Sequence, residues 1–406
     1  MINMRYNIEQ IINELLEHME KEDLLGYDPY DFYLSPIAKY IPKSILFLHF
    51  FKFFPINIRP ILGIKKGMVT KVYALMIDSY LNLYELYKDD VFLDKAKSLY
   101  KKMIDVAVVD TNEELGWGRN YPFKTGGEIH DNKRPLVYLN ARLGQAMVHL
   151  YDVTNDERIL KDLKRVVVNI IRTGRILQHE GWKFIGYSPD KNARLTFNAS
   201  MVAVETILKY MDRAKLDTVY VDQYEMKSTC YDMIRTMIHY QQADGSWTYG
   251  YSSSGAIFEQ KDFHQGFVID SLYEVIPLIS DTSLWEMAKG AYEKGYQYLK
   301  NVQISTKGEF FWRYPKKYPI DIHNQAQGIL SLIRNTEDKN NEKLNTILEY
   351  TLSTLWLSQR KCFAYQKWPL IRNKISYVRW CNAWMLYAMT EYLKRPYGYG
   401  KSNDNR

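Results

Sequence analysis

Cysteine is scarce in this 406-residue chain. Its three cysteines, Cys230, Cys362 and Cys381, lie far apart and form no C-x-x-C pair. They therefore provide neither an even-numbered disulfide framework nor a cysteine-based zinc site. The N-terminal residues lack an apolar segment followed by a small-residue cleavage site, so we expect no signal or transit peptide. These absences predict a cytoplasmic protein.

Long apolar runs are also missing. The most aromatic stretch, SILFLHFFKFFPI at 44–56, is shorter than the roughly 20 apolar residues that span a bilayer. Acidic residues are absent between Asp31 and Asp78. Seven basic residues occupy this interval: Lys39, Lys43, Lys52, Arg59, Lys65, Lys66 and Lys71. Two interpretations of residues 39–71 stay open: a peripheral anchor that faces anionic lipid, or a buried connecting helix.

Several motifs of nucleotide and hydrolase chemistry are absent as well. The chain contains no G-x-S-x-G, no Walker sequence and no dinucleotide fingerprint. The net charge of +7 is small for this length. The basic residues are not concentrated in a segment that resembles a nucleic-acid recognition helix. We therefore expect no cofactor and no nucleic-acid partner.

From about residue 60 onward, the chain repeats itself about every 60 residues. One type of segment is amphipathic, as in DERILKDLKRVVVNIIRT, and predicts an outer helix. The other type is apolar or small on nearly every face, as in FHQGFVIDSLYEVIPLI, and predicts an inner helix surrounded by others. Each inner helix follows a turn rich in aromatic residues. These turns begin at Gly116, Gly181, Gly245, Gly308 and Cys362.

Alignment of the inner helices places one residue of each at an equivalent position near the helix start. These residues are Asn140, Asn198, His264, His323 and Cys381, with spacings of 58, 66, 59 and 58. Lys71 marks a first copy, whose outer partner we expect from residues 7–21 or from the C-terminus. Six such hairpins predict an all-α (α/α)6 toroid. The predicted division is 1–59 as an N-terminal helix and connecting segment, 60–395 as the toroid, and 396–406 as a flexible tail.

A duplicated D-x-H pattern opens two neighbouring inner helices: Asp262 with His264, and Asp321 with His323. Three interpretations stay open for these four residues: structural caps, general acid and base groups, or a metal site. As acid and base groups, with Tyr249 as an auxiliary, they would abstract a proton next to a carboxylate. Alternatively, the two aspartates would form the carboxylate pair of a glycosidase.

Cationic, amide and aromatic side chains near the same rim are candidates for substrate binding. Inner-helix N-termini that share one rim create a positive field suited to anions such as uronates or phosphates. The charged and amide candidates are Arg119, Arg313, Arg379, Asn140 and Asn198. Aromatic side chains of the turns would stack on the apolar face of a sugar ring. They are Trp117, Trp182, Trp247, Trp312 and Trp368.

Two resemblances add to this pattern. Gln241, Gly245 and Trp247 resemble one Q-x-x-x-G-x-W repeat of terpenoid-cyclase and prenyltransferase-like toroids, but the D-x-D-D acid of protonating cyclases is absent. GYDPYD (26–31), NIRPILGIKKG (57–67), ADGSW (243–247) and KDFHQGFVIDSL (261–272) resemble bacterial and archaeal toroid proteins associated with capsule, O-antigen or exopolysaccharide biosynthesis, many labelled squalene-cyclase-like. This resemblance implies a six-hairpin toroid and a role in surface-glycan assembly, without an assigned catalytic set.

The combined expectation is a cytoplasmic enzyme of surface-polysaccharide biosynthesis. It would bind an oligosaccharide or lipid-linked glycan in the toroid cavity and act on it as an epimerase, lyase or glycosidase. His264 and His323 would transfer protons, Asp262 and Asp321 would orient them, and Arg379 would hold the substrate. Two alternatives stay open: a protein that handles isoprenoids in a greasy cavity, and a scaffold without catalysis.

Overall fold

The computed structural model describes residues 2–40, 45–125, 128–130, 132–334 and 342–395. The α-helices in these ranges are Ile2–Lys21 (α1), Ile45–Phe53 (α2), Thr70–Tyr87 (α3), Asp90–Asp105 (α4), Val137–Thr154 (α5), Glu157–Gly174 (α6), Phe197–Arg213 (α7), Met226–His239 (α8), His264–Val275 (α9), Thr282–Tyr298 (α10), Ile322–Ile333 (α11), Glu342–Leu355 (α12) and Trp384–Lys394 (α13). Lys43 and the tail predicted at 396–406 lie outside the described residues.

Short antiparallel strands form the turns of the repeats. Five pairs are Val108–Val109 with Leu115–Gly116, Phe123–Thr125 with Glu128–His130, Ile176–His179 with Trp182–Ile185, Tyr220–Val221 with Tyr224–Glu225, and Trp356–Leu357 with Cys362–Phe363. Two sheets have three strands: Ile257–Phe258, Gly250–Tyr251 and Leu195–Thr196, and Ile320–Asp321, Gln366–Lys367 and Arg372–Asn373. Each three-stranded sheet joins strands from consecutive repeats.

Six inner helices form a closed ring. Helices α3, α5, α7, α9, α11 and α13 pack each against the next, and α13 packs against α3. Helices α4, α6, α8, α10 and α12 lie outside, and α1 packs on α13 as the sixth outer helix. The structure is thus an (α/α)6 toroid, as predicted. The first inner helix, α3, has its partner in α4, so residues 7–21 complete the last repeat and not the first.

Burial explains why the two helix types differ. In the outer helix α6, the apolar positions Ile159, Leu163, Val166 and Ile170 are buried, whereas the intervening charged residues face solvent. Inner helices are enclosed on nearly all sides, as shown by the run of buried residues along α7. Charged side chains of the inner helices therefore lie mainly where the ring has open space inside it.

Two turn tryptophans pack between repeats and do not stack on a ligand. The Trp117 and Trp247 side chains are each 1% exposed, and their indole nitrogens donate to the carbonyl oxygens of Met103 and Met237 at 2.8 Å. Gly245 brings the second turn against the outer helix: its φ is +87°, and a Cβ there would lie 2.4 Å from the carbonyl oxygen of Lys294. These contacts correct the expected sugar-stacking role of both tryptophans.

Two further candidates also have structural partners. The Asn140 side-chain oxygen accepts a hydrogen bond from the Trp117 backbone nitrogen at 2.7 Å, which fixes the turn to α5. Trp182 stacks on His239 with ring centroids 4.1 Å apart, on the outer side of the repeat. Neither side chain lines the cavity described below, so the substrate-binding roles expected of them are corrected as well.

The segment between α1 and α3 forms a small cluster of its own. Phe32, Phe51 and Ile64 are buried together, and the Arg59 guanidinium stacks on Phe51 at 4.2 Å. Arg59 also donates to Asp31 at 2.8 Å, and both side chains are almost fully buried. None of the described helices has the length and apolarity to cross a membrane. Through Phe51, helix α2 packs on the cluster of Phe32 and Ile64.

We expect Trp247→Ala to lower the free energy of unfolding by about 3–5 kcal/mol, because it empties a buried indole site and frees the Met237 carbonyl. Urea unfolding followed by circular dichroism measures the change. Trp285→Ala is the matched control, since Trp285 is 37% exposed. Equal stability of the two variants would contradict the packing role.

Candidate functional site

A cavity of about 270 Å³ opens at the N-terminal ends of the inner helices. It takes one residue or more from the first turn of each inner helix. Those residues are Lys71, Tyr138, Asn198, His264, His323 and, in the helical turn before α13, Trp380. The six helix starts therefore share one rim, and their dipoles direct positive potential into the cavity.

Ten of the sequence-predicted site residues line this cavity. They are Arg119, Asn198, Tyr249, Asp262, His264, Trp312, Arg313, Asp321, His323 and Arg379. Asn140, Trp117, Trp182 and Trp247 do not line it, and Trp368 instead packs on Phe53 with ring centroids 6.3 Å apart. Both D-x-H patterns and the predicted arginines thus line this cavity, whereas four of the five predicted turn tryptophans lie outside it.

Asp262 and His264 form a hydrogen-bonded pair at the start of α9. The Asp262 Oδ1 atom lies 2.6 Å from His264 Nδ1 and also accepts the His264 backbone N–H at 3.1 Å. The second oxygen, Oδ2, accepts from the Gln260 amide at 2.8 Å. The carboxylate therefore holds Nδ1 as the protonated nitrogen. Nε2 of His264 remains for a ligand in the cavity.

Asp321 makes a different set of contacts, although its sequence spacing to His323 is the same. Its Oδ1 accepts from the His323 backbone N–H at 2.9 Å and from the Trp380 indole at 2.8 Å. Its Oδ2 accepts from the Gln366 amide at 2.7 Å. Asp321 therefore caps α11 and ties it to the next repeat, and it does not hold the His323 ring as Asp262 holds that of His264.

The imidazole of His323 is buried among aromatic rings. The ring centroids of Phe263, Trp380 and Trp384 lie 4.4, 4.5 and 4.7 Å from its own. Its Nδ1 has no hydrogen-bond partner in the described part of the chain. Burial, together with the nearby charge of Lys71, holds the pKa of His323 well below its usual value. His323 is therefore neutral near pH 7.

Arg379 already has a full ionic partner. Its Nε and one terminal nitrogen donate to the two oxygens of Asp28 at 2.6 and 2.9 Å, and both side chains are buried. Asp28 also accepts the hydroxyl of Tyr121 at 2.8 Å. The expected role of Arg379 as a free substrate clamp is therefore corrected. It forms a fixed part of the cavity wall, with its charge balanced by Asp28.

Lys71 is the cation that the sequence indicated least clearly. Its ammonium lies 4.0 Å from the centroid of the Tyr138 ring, and it has no hydrogen bond or ion pair among the described residues. Burial and the neighbouring Arg379 and Arg119 lower its pKa well below the usual value. In the repeat alignment, Lys71 occupies the position equivalent to His264 and Asn198. That equivalence was the sequence signal that could have identified Lys71 as a site residue.

The remaining wall is cationic, aromatic and polar. Lys52 and Arg194 join the predicted arginines, so that six basic residues face two aspartates. Arg119 donates to the Tyr187 hydroxyl at 3.3 Å. The Oδ1 of buried Asn198 has no partner within the described ranges. This composition suits a ligand that carries both an anionic group and hydroxyl donors.

Tyr249 stands beside the pair of Asp262 and His264. Its ring centroid lies 4.5 Å from that of His264. Burial, the nearby hydroxyl of Tyr187 and Asp262 raise the pKa of Tyr249, although Arg194 opposes them. The phenol is therefore neutral at physiological pH, so that it can donate a hydrogen bond and does not act as a phenolate base.

A second cavity, of about 260 Å³, lies at the other end of the ring. Tyr138 and Phe267 line both cavities and separate them, with ring centroids 5.2 Å apart. Ion pairs fill its wall, such as Lys209 with Glu274 at 2.8 Å and His149 with Asp78 at 2.9 Å. Its charges are balanced internally, whereas the N-terminal cavity has an excess of cations.

No group of three histidine, cysteine, aspartate or glutamate side chains suited to a metal ion occurs among the residues that the structure describes. Within the D-x-H patterns, the nearest such pair is Asp262 with His264, and Asp321 is occupied by Trp380 and Gln366. The side chains of these two patterns are therefore arranged for hydrogen bonding and proton transfer.

Comparison with known proteins identifies similar structures but no similar sequences. No protein-family model and no curated protein matches the chain. A sugar epimerase from a ruminal bacterium superposes with a TM-score of 0.64 and 14% identity, covering 97% of this chain and 99% of that one. Cellobiose 2-epimerase from Bacillus thermoamylovorans B4167 gives 0.61 and 13%, covering 81% and 88%. An unsaturated glucuronyl hydrolase specific for heparin gives 0.60 and 12%, covering 96% of each chain. These similarities establish the toroid fold.

The depressed pKa of His323 makes stability depend on pH. Below about pH 6.5 the unfolded chain binds a proton at this residue that the folded protein does not bind, so stability falls as pH decreases. We expect His323→Gln to lose less stability than the native protein between pH 7 and pH 5. The difference would be up to about 1.4 kcal/mol per pH unit, measured by urea unfolding.

The exposed His239 provides a comparison variant, His239→Gln, which is measured under the same conditions. Parallel curves for the native protein and His323→Gln would show that His323 protonates equally in both states.

Proposed function

We propose that this protein is a carbohydrate-active enzyme that binds an anionic glycan in the N-terminal cavity and transfers a proton at a carbon next to a carboxylate. The observation that carries the proposal is the pair of Asp262 and His264, 2.6 Å apart in the wall of a cationic cavity. A histidine with one nitrogen fixed by a carboxylate is oriented to exchange a proton at the other.

The cavity wall favours a sugar over an isoprenoid chain. Aromatic rings such as Phe263, Trp312 and Trp380 occupy one part of the wall, while charged groups and amides occupy the rest. A sugar ring offers an apolar face and hydroxyl groups together, whereas a prenyl chain would offer no polar partner to Lys71 or to the Oδ1 of Asn198. The structures with similar folds include two named as sugar epimerases and one named as a glucuronyl hydrolase, which supports the same choice.

Proton transfer fits the two aspartates better than a glycosidase mechanism does. A glycosidase needs one carboxyl group that protonates the leaving oxygen and a second that acts on water or on the sugar. Burial raises the pKa of Asp321, as an acid would require, but Trp380, Gln366 and the His323 backbone occupy its oxygens. Asp262 is likewise engaged by His264 and Gln260.

Each side chain of the site then has a defined task. Nε2 of His264 takes the proton from the carbon next to the substrate carboxylate, and Asp262 stabilises the imidazolium that forms. Lys71, with the backbone dipoles of the helix starts, stabilises the negative charge that moves onto the carboxylate. Neutral Tyr249 donates a hydrogen bond, and neutral His323 supplies a second site for proton exchange.

The fate of the carbanion decides the reaction class. Return of a proton to the opposite face gives an epimer. Loss of the neighbouring glycosidic oxygen gives an unsaturated uronate and a shortened chain. Solvent deuterium at the carbon next to the carboxylate reports the epimerisation, whereas the alkene proton of the unsaturated uronate, on the neighbouring carbon, reports the elimination. The biosynthetic role in a surface polysaccharide is a prediction that rests on the sequence resemblance, and the cytoplasmic location is a prediction that rests on the scarcity of cysteine.

We expect His264→Ala to lower kcat by about 10²- to 10⁴-fold on uronate-containing oligosaccharides, because the general base is lost. The measurement is NMR in heavy water on a panel of such oligosaccharides, which detects both deuterium incorporation and the alkene proton of an unsaturated uronate. His239→Ala, at an exposed histidine, is the control. Asp262→Asn should also reduce kcat, since the amide no longer holds Nδ1 as a donor. Full activity of His264→Ala would remove this residue from the mechanism.

Lys71 leads to an expectation about binding. An anion beside this ammonium would raise its lowered pKa again, so that binding takes up a proton. Calorimetry in buffers of different ionisation enthalpy measures that proton. We expect Lys71→Met to abolish the uptake and to weaken binding of a uronate by about 10- to 100-fold. A neutral sugar of the same size should bind both proteins alike, and proton uptake that persists in Lys71→Met would contradict the assignment.

A further inference from the structure

Apolar side chains, four of them exposed, form a collar beside the cavity mouth. The collar consists of the exposed Phe50, Ile56, Leu370 and Ile371 and the half-buried Phe54. Leu370 is 94% exposed, and Ile56, Ile371 and Phe50 are 64, 58 and 54% exposed. Exposed aliphatic and aromatic residues grouped in this way are unusual on a solvated surface and indicate an interaction site.

Contacts across the fold bring the two parts of the collar together. Phe50 packs on Phe54 with ring centroids 4.8 Å apart. The Phe54 carbonyl oxygen accepts the side-chain amide of Asn373 at 3.5 Å, which joins the end of α2 to the hairpin that carries Leu370. A hydrogen bond from the Trp368 backbone to the Ile371 carbonyl at 2.7 Å closes the hairpin turn. The tip is therefore a defined turn that presents its apolar residues outward.

Phe53 connects the collar with the cavity. Its ring contacts Trp312 and Trp368, with centroid distances of 6.2 and 6.3 Å. Phe53 and Trp312 both line the N-terminal cavity, and Trp368 begins the collar hairpin turn. A surface that engages the collar therefore lies directly beside the mouth through which a substrate enters.

The charge around the collar has one sign. The chain has no acidic residue between Asp31 and Asp78, the interval that contains α2. Arg313 and Lys316 are exposed in the turn after Trp312, and Lys367 is half-buried on the collar hairpin. None of these three forms an ion pair with a described residue. Apolar side chains that insert between cations match an anionic lipid surface, where acyl chains lie behind negative headgroups.

We propose that the collar docks the cavity mouth on an anionic membrane surface, so that the enzyme receives a membrane-borne glycan. The inference that the protein docks on a membrane depends only on the collar, while the inference that it receives a glycan there rests on the proposed function. A second copy of the chain is a poorer occupant. A two-fold dimer would bring the same patch face to face, and its basic residues would then repel each other.

Flotation with vesicles tests the docking. The full chain is mixed at low salt with vesicles of phosphatidylcholine, and with vesicles in which about a third of the lipid is phosphatidylglycerol. We expect binding to the anionic vesicles that weakens as salt increases. The double variant Leu370→Glu/Ile371→Glu should bind about tenfold or more weakly, because it places charge where apolar residues would insert.

The matched control is Val91→Glu/Met287→Glu, which adds the same charge at two exposed apolar residues, 54 and 43% exposed, on outer helices. This control and the collar variant should melt as the native protein does. Absence of binding to anionic vesicles, or equal loss in both double variants, would overturn the proposal. So would a collar-dependent dimer in analytical ultracentrifugation without vesicle binding.

Two activity measurements separate this proposal from the proposed function. His264→Ala should bind vesicles like the native protein although it is inactive. The collar variant should retain its activity on a soluble uronate oligosaccharide and lose it only on a glycan anchored in vesicles. Equal activity of the collar variant and the native protein on the anchored glycan would refute delivery from the membrane.

Discussion

Closure of the inner-helix ring is the constraint on which the other features depend. An inner helix in this ring is covered by two inner neighbours and an outer helix, so most of its surface accepts only apolar or small side chains. Gly266 shows how close the packing is: a Cβ there would lie 2.6 Å from the Gln327 side chain of the neighbouring inner helix. Buried charged groups of the inner helices, such as Asp78, Arg142 and Glu205, therefore line one of the two cavities, which lie toward opposite ends of the ring. The two ends differ because parallel inner helices place every N-terminus at one rim and every C-terminus at the other.

That asymmetry accounts for the electrostatics of the two cavities. At the C-terminal end, Glu274 pairs with both Lys209 and Arg334 across adjacent helices at 2.8 Å, and Lys209 also pairs with Glu205. At the N-terminal end, helix dipoles add positive potential to an excess of basic residues. Arg379 is stable there because Asp28 accompanies it, whereas Lys71 responds by losing affinity for its proton. Uncompensated positive potential in a buried site destabilises the unliganded protein, and an anionic ligand would relieve that destabilisation.

The repeat pattern was enough to predict the fold and its shared rim. Helical periodicity and the spacing of the aromatic turns depend on local sequence, and both carry over directly into the ring. Identification of the outer partner of each repeat needed tertiary information. Residues 7–21 were recognised as a candidate outer helix, but only the contact of α1 with α13 shows which repeat they complete. The tryptophans failed as site predictions for a related reason: a turn indole such as Trp247 reaches the Met237 carbonyl inside its own repeat as easily as it reaches the cavity.

The two D-x-H patterns show where sequence reasoning ends. Both place an aspartate two residues before a histidine at the start of an inner helix, and both aspartates accept the histidine backbone N–H. The difference comes from other repeats. Trp380 and Gln366 occupy Asp321, and three aromatic rings surround His323, whereas Asp262 is left to the imidazole of His264. Identical local spacing thus produces a helix cap alone in one repeat and an imidazole oriented by its carboxylate in the neighbouring one. The contacts of each copy follow from the donors that its neighbours supply, so the proton transfer that we propose rests on one aspartate–histidine pair in a ring of six repeats.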